Sequence, residues 1–274
     1  MESWKNIYNY FEPVAFSIGS LHIHWYGIMY ALALLLAIVV AHWLIKKDNP
    51  GISKDTLDNY IWWAEIGVIL GARLGYILFY DPHTLWYLSH PWQIFNPFMD
   101  GTLVGISGFS YHGGAAGFII ATIWFCKKHK VNFWLIADIS VIAISFGYIF
   151  GRIANFLNQE LIGRVTDVPW AILVHGELRH PSQLYEAILE GLVIFLVLYF
   201  YRNRKKFVGE LAVLYFILYS FMRIVAEQFR QPDIQLGFLY GTDWLTMGSL
   251  ISFGYIGVGI LIYIYMYKRK SIKN

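Results

Sequence analysis

Residues 23–45 read IHWYGIMYALALLLAIVVAHWLI, an apolar run that Lys46 and Lys47 close. A helix needs roughly 20 predominantly apolar residues to cross ~30 Å of hydrocarbon, so this segment can span a bilayer. Six further runs share the pattern, at about 60–80, 103–126, 133–150, 182–201, 210–229 and 247–267. Composition agrees: of 274 residues, 57% are hydrophobic and 14% charged, about half the charged share of a soluble domain. Too few polar side chains remain to coat a water-facing surface. The expected fold class is all-α: a polytopic, multi-pass membrane protein with seven transmembrane helices, forming a single integral membrane domain over 1–274.

Outward from that first run, lysine and arginine set the orientation, because loops kept in the cytoplasm carry the excess. Lys46, Lys47 and Lys54 follow the first span; Lys127, Lys128 and Lys130 the third; Arg202, Arg204, Lys205 and Lys206 the fifth; Lys268, Arg269, Lys270 and Lys273 the seventh. Basic loops thus fall on every second connection, which places the amino terminus outside and the carboxy terminus in the cytoplasm. The first span lacks the charged n-region and cleavage site of a removable signal peptide, so the amino terminus is expected to stay. The net charge of +3 comes from these lysines and is read as topology, with no nucleic-acid partner expected. One cysteine, Cys126, excludes an intrachain disulfide framework and a multi-cysteine metal site. His-Glu-x-x-His, phosphate-loop and dinucleotide motifs are all missing, so neither a metal nor an organic cofactor is expected.

The remaining basic residues are mostly arginines on the outward side. Arginine inside a span costs at least ~2.5 kcal/mol on insertion scales, so Arg73 and Arg223 call for partners. Internal pairing is one reading: Glu65 and Arg73 lie on one helix, and Arg223 and Glu227 are four apart. Around Arg223, however, Tyr219 and Arg230 leave more positive charge than Glu227 alone can balance, and an anionic ligand would supply the rest. Guanidinium grips phosphate with two parallel hydrogen bonds and stays charged when desolvated, which points to a lipid phosphate.

Three more clusters carry polar chemistry. The stretch 151–164, GRIANFLNQELIGR, puts Arg152, Asn155, Glu160 and Arg164 at the outer end of the fourth span. If the helix continues, Arg152 and Asn155 share a face, and Gly163 lets the backbone turn away. Ser110-Tyr111-His112-Gly113-Gly114 lies in the third span, whose first half is crowded by Gly101, Gly105, Gly108, Gly113, Gly114 and Gly117, allowing bends or close packing. A lone membrane histidine is more often an interhelical hydrogen-bonder than a catalyst. Here the glycines are expected to clear space for a substrate, and an imidazole titrating near ~6.5 can act as a base at neutral pH. His180-Pro181-Ser182-Gln183-Leu184-Tyr185-Glu186 opens the fifth span, with Ser182 expected as N-cap and Glu186 and Glu190 as inward counter-ions.

Taken in order, these clusters resemble the prolipoprotein diacylglyceryl transferase family over nearly the whole chain. The likeness runs from His24-Trp25-Tyr26-Gly27 through Gly71-Ala72-Arg73-Leu74-Gly75-Tyr76, Tyr111-His112-Gly113-Gly114 and His180 to Glu186, ending at Phe229-Arg230-Gln231-Pro232-Asp233. Its most specific part is the family signature Gly-Arg-x-Gly/Ala-Asn-Phe-x-Asn-x-Glu-x-x-Gly, which residues 151–163 satisfy at each fixed position. The resemblance implies a transferase of the bacterial plasma (inner) membrane, working toward the periplasmic, outer leaflet. It would move the diacylglyceryl group of phosphatidylglycerol to the thiol of the lipobox cysteine of preprolipoproteins, forming a thioether and releasing glycerol 1-phosphate as the first step of lipoprotein maturation. The partners are then phosphatidylglycerol, the preprolipoprotein signal peptide and the membrane lipid bilayer.

Family knowledge gives weight to Tyr26, His112, Arg152, Asn155, Glu160, Gly163, Tyr219 and Arg223. Arg152 and Arg223 are expected to hold the phosphate, each contributing on the order of 10² to 10³ in rate as preorganised charge stabilisers. Arg73, Gly163 and Arg230 complete the expected phosphatidylglycerol-binding set. His112 is the expected thiol base, with Glu160 and Asn155 orienting groups. A lipid transporter would need the same charge, but usually shows internal repeats and a midplane site, and no repeat is evident. A retinal receptor needs a lysine that the seventh span lacks, and a voltage sensor needs arginine at every third position.

Overall fold

The computed structural model describes residues 2–19, 21–99, 101–103, 105–106, 108–232 and 237–273. It is mostly helical. A helical turn, α1 (Glu2–Lys5), leads to an antiparallel hairpin of β1 (Val14–Ile18) and β2 (Leu21–His24). Then come α2 (Trp25–Asp48), α3 (Lys54–Phe79) and the short α4 (Thr84–Ser89), followed by the hairpin β3 (Phe98–Met99) and β4 (Thr102–Leu103). Next are α5 (Tyr111–His129), α6 (Phe133–Leu157) and the hairpin β5 (Ile172–Val174) and β6 (Glu177–Arg179). The α7 helix (Ser182–Glu186) runs through a π-helical stretch, Ala187–Val193, into α8 (Ile194–Tyr201), and α9 (Glu210–Glu227) and α10 (Met247–Lys273) complete the order.

Five helices among the described residues are long and apolar enough to cross a membrane: Trp25–Asp48, Lys54–Phe79, Phe133–Leu157, Ser182–Arg204 and Met247–Lys270. The other two expected spans are also helices, α5 of 19 residues and α9 of 18. The third run starts as a helix only at Tyr111. Gly101, Gly105 and Gly108 hold φ of 78°, 81° and 80°, so the chain turns there, and Ser110 caps α5 by accepting from Gly113 N at 3.2 Å. Val104 and Ser107 of that run lie outside the described residues. The fourth run, by contrast, stays helical past 150 to Leu157, carrying the signature arginine on a rigid element.

Packing divides the chain into two compact units, Leu44–Ile136 and Met1–Trp43 with Ala137–Asn274. In the first, Gly67, Gly71 and Gly75 of α3 face Gly113 and Gly117 of α5 so closely that a Cβ on Gly117 would overlap the Gly67 carbonyl. Small residues four apart on both helices let the backbones touch, which is how membrane helices gain packing where lipid offers no hydrophobic drive. Gly113 therefore makes room for α3, a packing role that the expectation of space for a substrate did not include. In the second unit, Asp138 of α6 accepts from Lys205 Nζ at 2.9 Å, Gly209 N at 2.9 Å and Ala212 N at 3.1 Å, capping α9. Glu210 accepts from Tyr201 and Tyr263 hydroxyls at 2.9 and 2.8 Å, tying α8, α9 and α10 together. Near the carboxy end of α6, Phe156 buries against Ile172 and Val174 with Trp4, Ile7, Tyr8 and Phe11 packed on them.

Candidate functional site

Tyr148, Arg152 and Asn155 recur at helical spacing on one face of α6. Beyond Leu157 the backbone reverses through Gln159 and Leu161, both left-handed at φ 57° and 54°. Non-glycine residues in that region are uncommon, and here they fold Glu160 back over the helix end. Its Oε1 accepts from Asn155 Nδ2 at 2.7 Å, while its carbonyl accepts from Gln183 of α7. Arg152 Nη1 in turn donates to Asn155 Oδ1 at 3.2 Å, so Glu160 orients the amide that orients the guanidinium.

Two buried carboxylates join this helix to α9. Glu186 Oε2 lies 2.9 Å from Arg152 Nη1, and its Oε1 lies 3.1 Å from Arg223 Nη1 and 3.9 Å from Arg230 Nη1. Glu190 Oε1 is 3.5 Å from Arg223, whose Nη2 pairs with Glu227 at 2.6 Å. The π-helical stretch, which widens the turn, begins between Glu186 and Glu190, and π-bulges are frequent at functional sites. Buried charge is tolerable only when paired, and here each acidic group has an arginine. Glu186 and Glu190 are the inward counter-ions expected of them, and by reaching Arg223 from the neighbouring helix they remove the charge excess expected there. Exposure separates the two signs. The side chains of Arg152 and Arg223 keep 14% and 13% of their surface accessible, while Glu186 and Glu190 keep 1% and 0%. The arginine side chains thus keep some accessible surface, while the carboxylates paired with them keep almost none.

The other expected residues fall as follows. Tyr26 opens α2, half-exposed and stacked on Tyr30, within electrostatic reach of Glu160 and Arg152. Tyr219 meets Tyr148 edge-on, with ring centres 5.9 Å apart. Gly163 bridges antiparallel to Arg230, and its Cα abuts the His180 carbonyl with no room for a side chain. Arg164 donates to the carbonyls of Arg230, Glu227 and Asp243, so it fastens loops. Ser182 does not cap its helix: Pro181 is the N-cap residue, and the Ser182 hydroxyl donates to Leu161 O at 3.0 Å. Burial, then the Arg164 cation, holds the His180 imidazole below the usual histidine range. Asp233 lies outside the described residues.

His112 and Arg73 belong to the other unit. The exposed His112 ring touches Tyr111 edge-on and lines a pocket of about 390 Å³ with Phe79, Tyr80, Ser110, Gly113 and Ala116. Arg73 is 6% exposed. Its Nε donates to Ile94 O at 2.6 Å and its Nη1 to Gly108 O at 3.1 Å, with the cation 5.4 Å from the Tyr87 ring. Through these two carbonyls it ties Ile94 and Gly108 to α3.

Sequence reading passed over Tyr148 and Gln183. Tyr148 stands one helical turn before Arg152, a spacing that marks a neighbour, and Gln183 sits inside the quoted 180–186 stretch. Among the described residues, no three His, Cys, Asp or Glu side chains converge on a point where a metal could sit.

The chain is similar to known proteins along nearly its full length. Residues 13–265 match the family model described as prolipoprotein diacylglyceryl transferase. A phosphatidylglycerol–prolipoprotein diacylglyceryl transferase of Aliarcobacter butzleri is 65% identical over 99% of both chains. Proteins of the same name from Campylobacter curvus and Wolinella succinogenes are 56% and 55% identical, the first covering 100% of both chains and the second 98%.

Proposed function

The chain belongs to the prolipoprotein diacylglyceryl transferase family, and from that premise we propose how its residues divide the work. It is a membrane transferase that acts on phosphatidylglycerol and prolipoprotein, as its relatives are named. The acceptor is the thiol of the lipobox cysteine in the signal peptide. Sulfur attacks the glyceryl carbon that carries the phosphate ester, the C–O bond breaks, and its electron pair leaves on glycerol 1-phosphate. The product is a thioether.

Arg152 and Arg223 grip the phosphate, with Arg230 beside them. The observation that carries this reading is that both arginine side chains keep accessible surface while Glu186, which pairs with each of them, is buried. Charge grows on the phosphate as the bond breaks, and donors already fixed in a low-dielectric site stabilise it without reorganising. Asn155 and Glu160 orient Arg152. Tyr26 and Tyr219 flank the lipid, and Gly163 keeps the backbone close at Arg230. The thiol proton goes to His112, whose imidazole is exposed at its pocket.

All seven helices cross the bilayer, α5 and α9 included, since 18–19 residues at 1.5 Å rise cover about 28 Å. The amino terminus is outside, the carboxy terminus cytoplasmic, and the arginine site faces the outer leaflet of the bacterial inner membrane; the placement of lysine-rich connections supports this. Purified protein given labelled phosphatidylglycerol and a lipobox peptide tests the reaction. Label should move to the cysteine peptide and not to its serine counterpart; equal transfer to both would remove thiol alkylation.

A further inference from the structure

The part-buried hydroxyl that joins Arg152 to Glu190 belongs to none of the groups assigned above. Tyr148 sits four residues before Arg152 on α6. Its oxygen accepts from Arg152 Nε at 2.7 Å and also from Nη2, while its proton goes to Glu190 Oε2. The guanidinium carbon lies 4.8 Å from the centre of the same ring, and Tyr219 packs edge-on against it. Without the phenol, Arg152 Nη2 is 3.7 Å from Glu190 Oε2, too far for a hydrogen bond.

We infer that Tyr148 is a positioning residue for Arg152: its hydroxyl bridges the Nε/Nη2 edge to Glu190 and so fixes the roll of the guanidinium. A phenol can make this bridge because it accepts two N–H groups and donates one O–H. With Glu190 as sole acceptor of that O–H, the oxygen lone pairs can point only at Arg152. The opposite edge, Nη1, is then held toward Asn155 and Glu186. Ring and hydroxyl act together, one stacking on the cation and the other setting its rotation. This inference rests on the phosphate-binding role proposed for Arg152. An arginine already aimed loses nothing to reorganisation when charge develops, so the benefit of aiming appears in the chemical step.

The test is diacylglyceryl transfer by detergent-purified full-length protein, wild type against Tyr148→Phe, with phosphatidylglycerol and a lipobox peptide varied separately. Phe keeps the ring and removes the hydroxyl. The expected result is a kcat about ten-fold lower, with the KM for phosphatidylglycerol changed less than about three-fold and an unchanged thermal midpoint. Glu190→Gln is expected to lower kcat as well, and the double variant should lose less than the product of the two, because both break one bridge. Wild-type kcat in Tyr148→Phe, or full additivity, overturns the inference while leaving the transferase reading intact. A wild-type protein that transfers nothing overturns the reading itself. If neither single variant folds, the tyrosine is structural and the inference fails.

Discussion

Glu186 Oε1 lies 3.1 Å from Arg223 Nη1, and the same carboxylate reaches Arg152 through its other oxygen at 2.9 Å. One fully buried acid on the α7 segment therefore sets the spacing of two arginines carried by α6 and α9.

Removing that acid should cost stability before it costs chemistry. Breaking a buried pair leaves uncompensated charge, worth about 3–5 kcal/mol. Glu186→Gln is expected to lower the unfolding free energy by that order in detergent, with the transfer rate falling further than the folded fraction. A variant as stable as wild type would mean that Arg152 and Arg223 find counter-charge elsewhere.

Gly163→Ala should be damaging for a steric reason. A Cβ there would run into the His180 carbonyl and lie 2.8 Å from its Cβ, so the loop bridging Gly163 to Arg230 must move. Overpacking of this kind costs about 1–3 kcal/mol, and transfer should drop at least ten-fold as Arg230 shifts. Gly151→Ala, where nothing lies within 4 Å, is the matched control and should fold normally.

His180 gives a pH signature for stability. Its imidazole is held below the ordinary range, mainly by burial and then by Arg164, so the unfolded chain takes up the proton first. The stability it contributes is complete above pH ~6.5 and is lost as pH falls through the lower folded value. Thermal midpoints measured from pH 8 down to 5 should decline on the acid side, and His180→Gln should decline less. Equal declines would assign the effect to other groups.

His112 is tested by the shape of the rate profile. A base that accepts the thiol proton makes transfer rise with pH as the base loses its own proton. His112→Gln should lower the rate and flatten that rise. An unchanged profile would leave His112 as a packing residue beside Tyr111.

Much of this architecture was legible in the chain because the signals are local. Apolar runs gave the helices, and the i, i+3 spacing of Arg152 and Asn155 placed both on one face of a helix that does continue to Leu157. What escaped depends on neighbours distant in sequence. Glu186 and Glu190 were legible as inward counter-ions, but that they balance Arg223, more than 30 residues later, could not be read from the charges along α9 alone. Arg73 spends its donors on the carbonyls of Ile94 and Gly108, which no spacing rule announces. The glycines split by backbone: three turn the chain before α5, while Gly113 and Gly117 meet α3. Ser182 looked like a cap because it follows Pro181, yet the loop returning at Leu161 claims its hydroxyl.

The most direct measurement is the transfer rate of Arg152→Lys at saturating phosphatidylglycerol and cysteine peptide. Lysine keeps the charge but cannot make two parallel bonds to one phosphate. A fall on the order of 10² to 10³ with the protein still folded is the expected outcome. Wild-type turnover in the lysine variant would mean that charge alone suffices, and that Arg152 does not grip the lipid phosphate.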